Sequence, residues 1–407
     1  MTLVRASHER LGATFETVGG RAFPAHYGRP DRTVRAVRNG VGVTEPAYGV
    51  VAVSGADRIE FLDNALSNAV PAADGRGCYA LLLDPQGAVR ADCYVYTAAE
   101  RCLVLTPPSQ AADLAEEWAG RTFVQDVDVA EATADFAVFG VHGPSATEKV
   151  ASVLNGASAP DDRLAFVRGR MNDVGVTVVR TDAPAGEEGY EVVVAADTAA
   201  DRNEAPAVAA GEERPVAESA PAAVFDALLN YGLNAVPVGR RTWDVLTLEA
   251  GTPLFETELA GTIPNVAGVR NAIDFEKGCF VGQEVVSRVE NRGRPSRRLV
   301  GLRCDALPAA GDEVLGLAAP GDGAGGASDA ASTRASVGTV TRAVDSPSVE
   351  APIAFATVEH DATPAGVRVD GSPVGAEPVV LPFVEGSERS ARVPAYPETP
   401  ATAGTEE

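Results

Sequence analysis

Between Gly49 and Leu66 an unbroken apolar run, GVVAVSG, gives way to a segment in which Ile59, Leu62 and Leu66 recur every three or four residues. That change of period predicts a buried strand through Val53, a Ser54-Gly55 cap and a helix with those three side chains on one face. CYALLLDPQGAVRADCYVY follows, two apolar runs joined by Asp84-Pro85-Gln86-Gly87, and reads as a β-hairpin because proline and glycine stand where a turn needs them. Alternation along its second strand puts Val89, Ala91, Cys93 and Val95 on one face and Arg90, Asp92, Tyr94 and Tyr96 on the other. The second face is polar and aromatic, so it meets solvent or lines a pocket. RCLVLT predicts another strand, before a helix at about 109–119 that Gly120 ends. DFAVFGVHGPSATEKVASVL repeats the strand, turn and helix pattern, with Pro144 at a first helical position and His142 as a turn residue bonded to backbone.

A strand pair is expected around VGVTVVR and GYEVVVA, then two helices, VFDALLNYG and TWDVLTLEAG, closed by Gly232 and Gly251. The short alternating segments LVGLRCD, SVGTVTRAV, IAFATVE and GVRVDG fit a small barrel or sandwich. Residues 1–35 are weakly periodic, with a short helix before Gly19-Gly20. Residues 197–221 and 316–336 hold almost no large apolar side chain and predict solvated insertions, and the Pro-, Glu- and Thr-rich stretch 386–407 predicts a disordered tail. The expected fold class is α+β: a body of two interleaved sheet-and-helix domains over 1–285 carrying the 197–221 insertion, a basic linker over 286–295, and a C-terminal β-barrel over 296–385 carrying the 316–336 insertion.

At 407 residues the chain is too long for one ordinary core. No apolar run reaches membrane-spanning length and the start, MTLVRASHERLG, lacks a signal peptide's apolar segment, so a soluble, cytoplasmic and monomeric protein is expected. Its net charge is −23, and only two of its 34 basic residues, Lys149 and Lys277, are lysines. Acidic side chains in place of lysine suit concentrated salt, where self-repulsion is screened, and predict a halophilic host. The same charge excludes nonspecific nucleic-acid binding, which needs a basic face. Five cysteines without a C-x-x-C pair predict reduced thiols and no metal site.

Chemically unlike residues crowd into NAIDFEKGCFVGQEVVSRVENRGRPSRR, residues 271–298. Lys277 stands two residues before Cys279, and a nearby ammonium favours the thiolate, so Cys279 is the candidate nucleophile and Lys277 the group that tunes it. Gly278 and Gly282 bracket the thiol with backbone freedom, and Gln283-Glu284 opens a helix whose dipole favours a carboxylate. Arg288, Arg292, Arg294, Arg297 and Arg298 put five arginines in eleven residues, either a connector paired with neighbouring acids or a site for an anionic group.

The run KGCFVGQE, Lys277 to Glu284, resembles the K-G-C-[FY]-x-G-Q-E signature of the YgfZ family, folate-binding relatives of the glycine-cleavage T-protein. Weaker resemblance to the T-protein superfamily covers about 35–385. Tyr79 and Leu83 look like the segment before its Asp-Asp strand, where Asp92 matches the second aspartate and Ala91 replaces the first. Gly189-Tyr190-Glu191 resembles the family's G-Y-E. LTLEAG, ending in Glu249, Ala250 and Gly251, resembles L-R-L-E-A-G with Thr247 for arginine, and Trp243 stands at another arginine position. The resemblance implies a T-protein-like fold around a central hole and tetrahydrofolate, or a related pterin, as cofactor. It implies ligand contacts from Tyr79, Asp92, Tyr190, Glu191 and Glu249, and a role in making or repairing iron–sulfur enzymes, some of them tRNA-modifying. On this expectation Cys279 acts with Lys277 and Asp92, iron–sulfur proteins are the partners, and turnover is not required. The alternative is an aminomethyltransferase of glycine cleavage, against which the lost aspartate and arginines count.

Overall fold

The computed structural model describes residues 2–122, 124–196, 219–292, 294–316 and 335–397. Helix α1 (Arg5–Arg10) precedes a hairpin of β1 (Thr14–Val18) and β2 (Arg21–His26). Gly19-Gly20 is the two-residue turn of that hairpin, so a strand and not a helix runs into it. Next come α2 (Pro30–Arg38), β3 (Gly42–Thr44), β4 (Gly49–Ser54), α3 (Arg58–Ala65), β5 (Arg76–Leu83), β6 (Val89–Ala98), β7 (Arg101–Thr106), α4 (Ala111–Ala119) and β8 (Asp128–Glu131). β9 (Phe136–His142), α5 (Ala146–Val153), β10 (Phe166–Met171), β11 (Val174–Arg180) and β12 (Gly189–Ala195) precede α6 (Ala220–Asn230), β13 (Val236–Val238) and α7 (Arg240–Glu249). Two further helices, α8 (Pro264–Ala267) and α9 (Gln283–Asn291), end the body.

These strands make a five-stranded sheet, β5-β6-β7-β4-β8, and a six-stranded sheet, β10-β11-β12-β9-β3-β13, antiparallel except where β13 meets β3. The sheets face each other. Tyr79, Leu81, Tyr94 and Tyr96 of one and Val138, Phe166, Val179 and Val193 of the other share a core with Leu259, Val269, Phe280 and Val286 from the segment after α7. Each outer face packs on helices: Val51, Ala91, Cys93 and Val95 meet Leu62, Leu114 and Trp118, while Phe139, Tyr190 and Val192 meet Val150, Phe225 and Leu228. A closed antiparallel barrel follows, built from β14 (Arg297–Cys304), β15 (Glu313–Gly316), β16 (Ser336–Ser346), β17 (Ala351–Glu359), β18 (Pro364–Val369) and β19 (Ser372–Val379). The fold is thus the α+β body with a C-terminal barrel that the pattern predicts.

Three expectations change. The alternation in β6 holds for Ala91 to Tyr96 but slips at its start, where the pairing shifts from Leu82–Ala91 to Leu83–Val89. A bulge adds a residue there, so Val89 joins the inter-sheet core and Arg90 turns outward to Glu117. The linker expected over 286–295 is helical through Asn291. Most of 197–221 and 316–336 lies outside the described residues, but at their edges Ser219 caps α6 on Ala222 N, and Gly316 and Ser336 belong to strands.

The largest change concerns the chain end. Residues 386–397 are not a free tail; 398–407 lie outside the described residues. After β19 the chain runs back across the body: Val384 N donates to Glu249 O at 3.0 Å, Ala391 N to Asp182 O at 3.0 Å and Ala395 N to Gly268 O at 2.9 Å. A Cβ on Gly386 would lie 1.9 Å from Gly186 O, so only glycine permits this approach. Ser390 and Arg392 are buried, and Tyr396 donates to Val266 O. Such a segment has too few apolar residues for periodicity to reveal it; it is held by backbone and polar contacts.

Candidate functional site

Between the sheets lies a pocket lined by Tyr48, Asp92, Tyr94, Trp243 and Arg392, among others. Asp92 reaches it because strand alternation sends Ala91 the other way, into the core under α3 and α4. The aspartate position lost to Ala91 therefore never faces the pocket, and the one kept does. Asp92 Oδ2 accepts from the Tyr79 hydroxyl at 3.0 Å, and Arg392 approaches the same oxygen at 3.9 Å. Burial raises the Asp92 pKa, and the neighbouring Arg392 charge opposes that rise.

Arg392 is the residue that sequence reasoning missed. Its guanidinium sits 5.0 Å from the Tyr79 ring centroid and 5.7 Å from that of Tyr94, with Nε 3.2 Å from Asp182 Oδ2. Asp182 was also missed; its other oxygen accepts from Tyr94 at 2.8 Å. The only sequence signal was a lone arginine in SARVPAYP, which composition assigns to a tail.

Glu191, on β12, also faces inward and is buried. Its Oε1 accepts from Tyr48 at 2.8 Å, whereas its Oε2 is buried without a hydrogen-bond partner. Burial pushes its pKa up to about 7, with Asp182 adding to the rise and the Tyr48 hydrogen bond opposing it. A buried carboxylate oxygen with a free lone pair costs free energy unless a ligand donor meets it. These acceptors suit a flat ring that donates adjacent N–H groups, and the tyrosine faces around them suit the ring itself.

Other expected ligand contacts are placed elsewhere. Tyr190 is one residue from Glu191 and so points to the opposite face, where its hydroxyl meets Arg180 at 2.9 Å and Thr147 at 3.0 Å. Glu249 is fully buried in a structural ion pair: Arg38 bonds it at 2.9 and 3.0 Å, and Ser346 of the barrel donates at 2.6 Å. Thr247, at the first missing arginine, accepts from Arg342 of β16 at 2.9 Å, so a barrel arginine supplies a cation there. His142 ends β9 and is no turn residue. Its buried ring lies 4.7 Å from Trp243, its Nδ1 has no hydrogen-bond partner, and burial lowers its pKa to about 3.

The thiol stretch is separate from the pocket. Lys277 is buried and donates to the carbonyls of Asp63, Leu66 (2.8 Å) and Asn68 (3.1 Å), closing the C-terminus of α3. Lys149 does the same for α6, donating to Ala227 O at 3.2 Å and Tyr231 O at 2.5 Å. Both lysines of the chain thus serve buried helix ends, where three donors on one compact head are needed. The Lys277 ammonium is held by these carbonyls and lies 3.4 Å from the Asp63 carboxylate, so its hydrogen bonds go to the end of α3. Cys279 is exposed, and the other four cysteines are buried and free. Its loop is anchored by Phe280 in the inter-sheet core and by Gly282, whose φ is +80° and whose Cβ would meet Asp84 O at 2.6 Å. Gly278 is in open space, and Gln283 and Glu284 start α9, with Glu284 exposed and paired to Arg288. The arginine stretch is largely spoken for: Arg294 bonds Asp361 at 2.7 Å and Arg298 the carbonyl of His360 at 2.8 Å.

A two-sheet body with a carboxylate and tyrosine pocket between the sheets, followed by a closed barrel, defines a T-protein-type fold. The crystal structure of a glycine cleavage system aminomethyltransferase T from Bartonella henselae superposes with a TM-score of 0.74 over 96% of this chain and 99% of that one, at 22% identity. The chain belongs to the glycine cleavage T-protein family: residues 4–215 match the GCVT N-terminal domain, and 297–385 match the glycine cleavage T-protein C-terminal barrel domain. Relatives named aminomethyltransferase include one from Cutibacterium acnes, 31% identical over 95% of this chain and 98% of its own. Another, from Saccharopolyspora erythraea, is 30% identical over 92% and 95%. No described helix is long and apolar enough to cross a membrane.

Proposed function

We propose that this chain binds tetrahydrofolate between its sheets and acts as an aminomethyltransferase. The observation that carries the reading is a pair of buried carboxylates at one tyrosine-lined pocket: Asp92 in its wall, and Glu191 behind that wall, bonded to the lining Tyr48 and with its second oxygen unpartnered. The relatives' shared name supports it. Glu191 would hold the pterin by accepting from its amino and ring N–H groups. Tyr48 fixes the Glu191 carboxylate, and Tyr79 with Arg392 fixes that of Asp92. Tetrahydrofolate, when bound, supplies the nitrogens that take up a one-carbon unit. Asp92, buried yet held beside a cation, is suited to hold or accept the proton of such a nitrogen. The test is exchange with an aminomethyl-loaded lipoyl protein in the presence of tetrahydrofolate. Turnover is expected, and Asp92→Asn should lower it by about tenfold or more; no turnover with well-folded protein would sink this reading.

A second reading, a YgfZ-like factor that uses folate to support iron–sulfur enzymes, is favoured by the exposed Cys279 on a loop anchored at both Phe280 and Gly282 and by Trp243 in the pocket. Under it, Cys279→Ser should leave folate affinity and thermal midpoint unchanged yet abolish rescue of iron–sulfur enzyme activity in cells lacking the native protein. Under the first reading the same variant is silent, so full rescue at normal abundance removes the second.

We also infer adaptation to salt. Lysine is kept only at two buried helix ends, and surface ion pairs such as Arg76–Asp162 and Arg168–Asp74 use arginine. Thermal midpoints are expected to rise steeply from low to molar KCl as repulsion among 57 acidic residues is screened; a flat response would overturn this.

A further inference from the structure

The lining of the pocket carries Glu45, Asp92, Asp244 and Glu256 against two arginines, Arg240 and Arg392, with Glu256 the exposed one of the four acids. Both arginines already sit in ion pairs. Arg240 is bonded at 2.8 Å to Glu16 and at 2.9 Å to Glu256. Arg392 is enclosed by Asp182, Asp92 and two tyrosine rings. The uncharged wall includes Trp243, Tyr48, Tyr94 and Phe255 with Pro107 and Pro184. The indole packs on His142, which is uncharged at neutral pH and brings no cation. The arginines at 288–298 do not line this pocket. A ligand in the pocket therefore meets an aromatic and proline wall in a lining where acidic residues outnumber basic ones, with Glu256 at the exposed edge.

We propose that Trp243 and this acidic lining make the pocket select reduced pterins whose substituent is an aryl group bearing few carboxylates, and reject polyglutamylated folates. The inference rests on the folate reading and names the substrate class of the same site. A flat aryl group is matched by the indole and proline faces, at little entropic cost. Each added γ-glutamate brings another anion to a lining already rich in carboxylates, with no unpaired guanidinium to receive it.

The test is calorimetry on the full chain with tetrahydrofolate monoglutamate, its triglutamate and 6-methyltetrahydropterin, at matched KCl. The monoglutamate is expected to bind about fivefold or more tightly than the triglutamate, with the gap narrowing as KCl rises. Trp243→Arg should reverse the order, and Trp243→Phe should keep it. Should Trp243→Arg fail to fold, Glu256→Gln, at the half-exposed rim, reports instead by shrinking the gap. Triglutamate binding as tight as or tighter than monoglutamate in the wild type overturns the inference while leaving the folate reading intact. Failure of all three pterins to bind overturns the folate reading itself.

Discussion

Arg392→Ala is expected to destabilise the protein by about 3–5 kcal/mol, the scale of removing one partner from a buried charge cluster. The guanidinium lies between Asp182 and Asp92 and over the rings of Tyr79 and Tyr94. Its loss leaves two buried carboxylates facing each other across an apolar void. They would take up protons or admit water, and the pocket would lose the charge that steadies Asp92. Ending the chain before Gly386 should act in the same direction, because it also deletes the backbone bonds to Asp182 and Gly268. Denaturant unfolding of both variants is the check. A truncated chain as stable as the full one would mean that 386–397 is a dispensable tail after all.

The second large effect falls on ligand binding. Glu191→Gln should weaken tetrahydrofolate binding by about 1.5–3 kcal/mol, or about ten- to 150-fold, because an amide cannot accept two donors from the pterin as a carboxylate can. The pH dependence is distinctive. The Glu191 pKa is raised from its ordinary 4.5 to about 7, so wild-type affinity should fall as pH drops below 7 and the acceptor is protonated. Stability without ligand runs the opposite way. A folded-state pKa above the unfolded value favours the protonated fold, so that contribution is present below pH 4.5 and lost as pH rises through about 7. Glu191→Gln should flatten both slopes, as binding isotherms and melting curves from pH 5 to 8 would show. An unchanged affinity profile would remove Glu191 from the site.

The two carboxylates illustrate a common bargain. Glu191 Oε2 is buried without a partner and Asp92 is raised by burial, both unfavourable in the free protein. Such groups are tolerated where a ligand completes them. The structural carboxylates differ: Glu249 has Arg38 and Ser346, and Glu45 has Thr2 and His8.

Local pattern alone determined a good deal. The β5–β6 hairpin, the helices ended by Gly120, Gly232 and Gly251, and most barrel strands follow from period and turn chemistry, which act over a few residues. Alternation also put Asp92 on the face with Tyr94, whereas Gly189-Tyr190-Glu191 stood out only through its resemblance to the family's G-Y-E. Which residue of such a motif points inward was not legible, because that depends on which face of β12 meets the other sheet; Glu191 shares the inner face with Val193 and is bonded by Tyr48, and Tyr190 lies on the outer face. Adjacent residues were likewise no guide to partners. Lys277 precedes Cys279 by two positions, yet its ammonium is fixed by carbonyls of α3 more than two hundred residues away in sequence. Asp182 and Arg392 meet only because the chain folds back over its own body after the barrel. No local period encodes that contact, since it is one charge placed between two sheets by everything that precedes it.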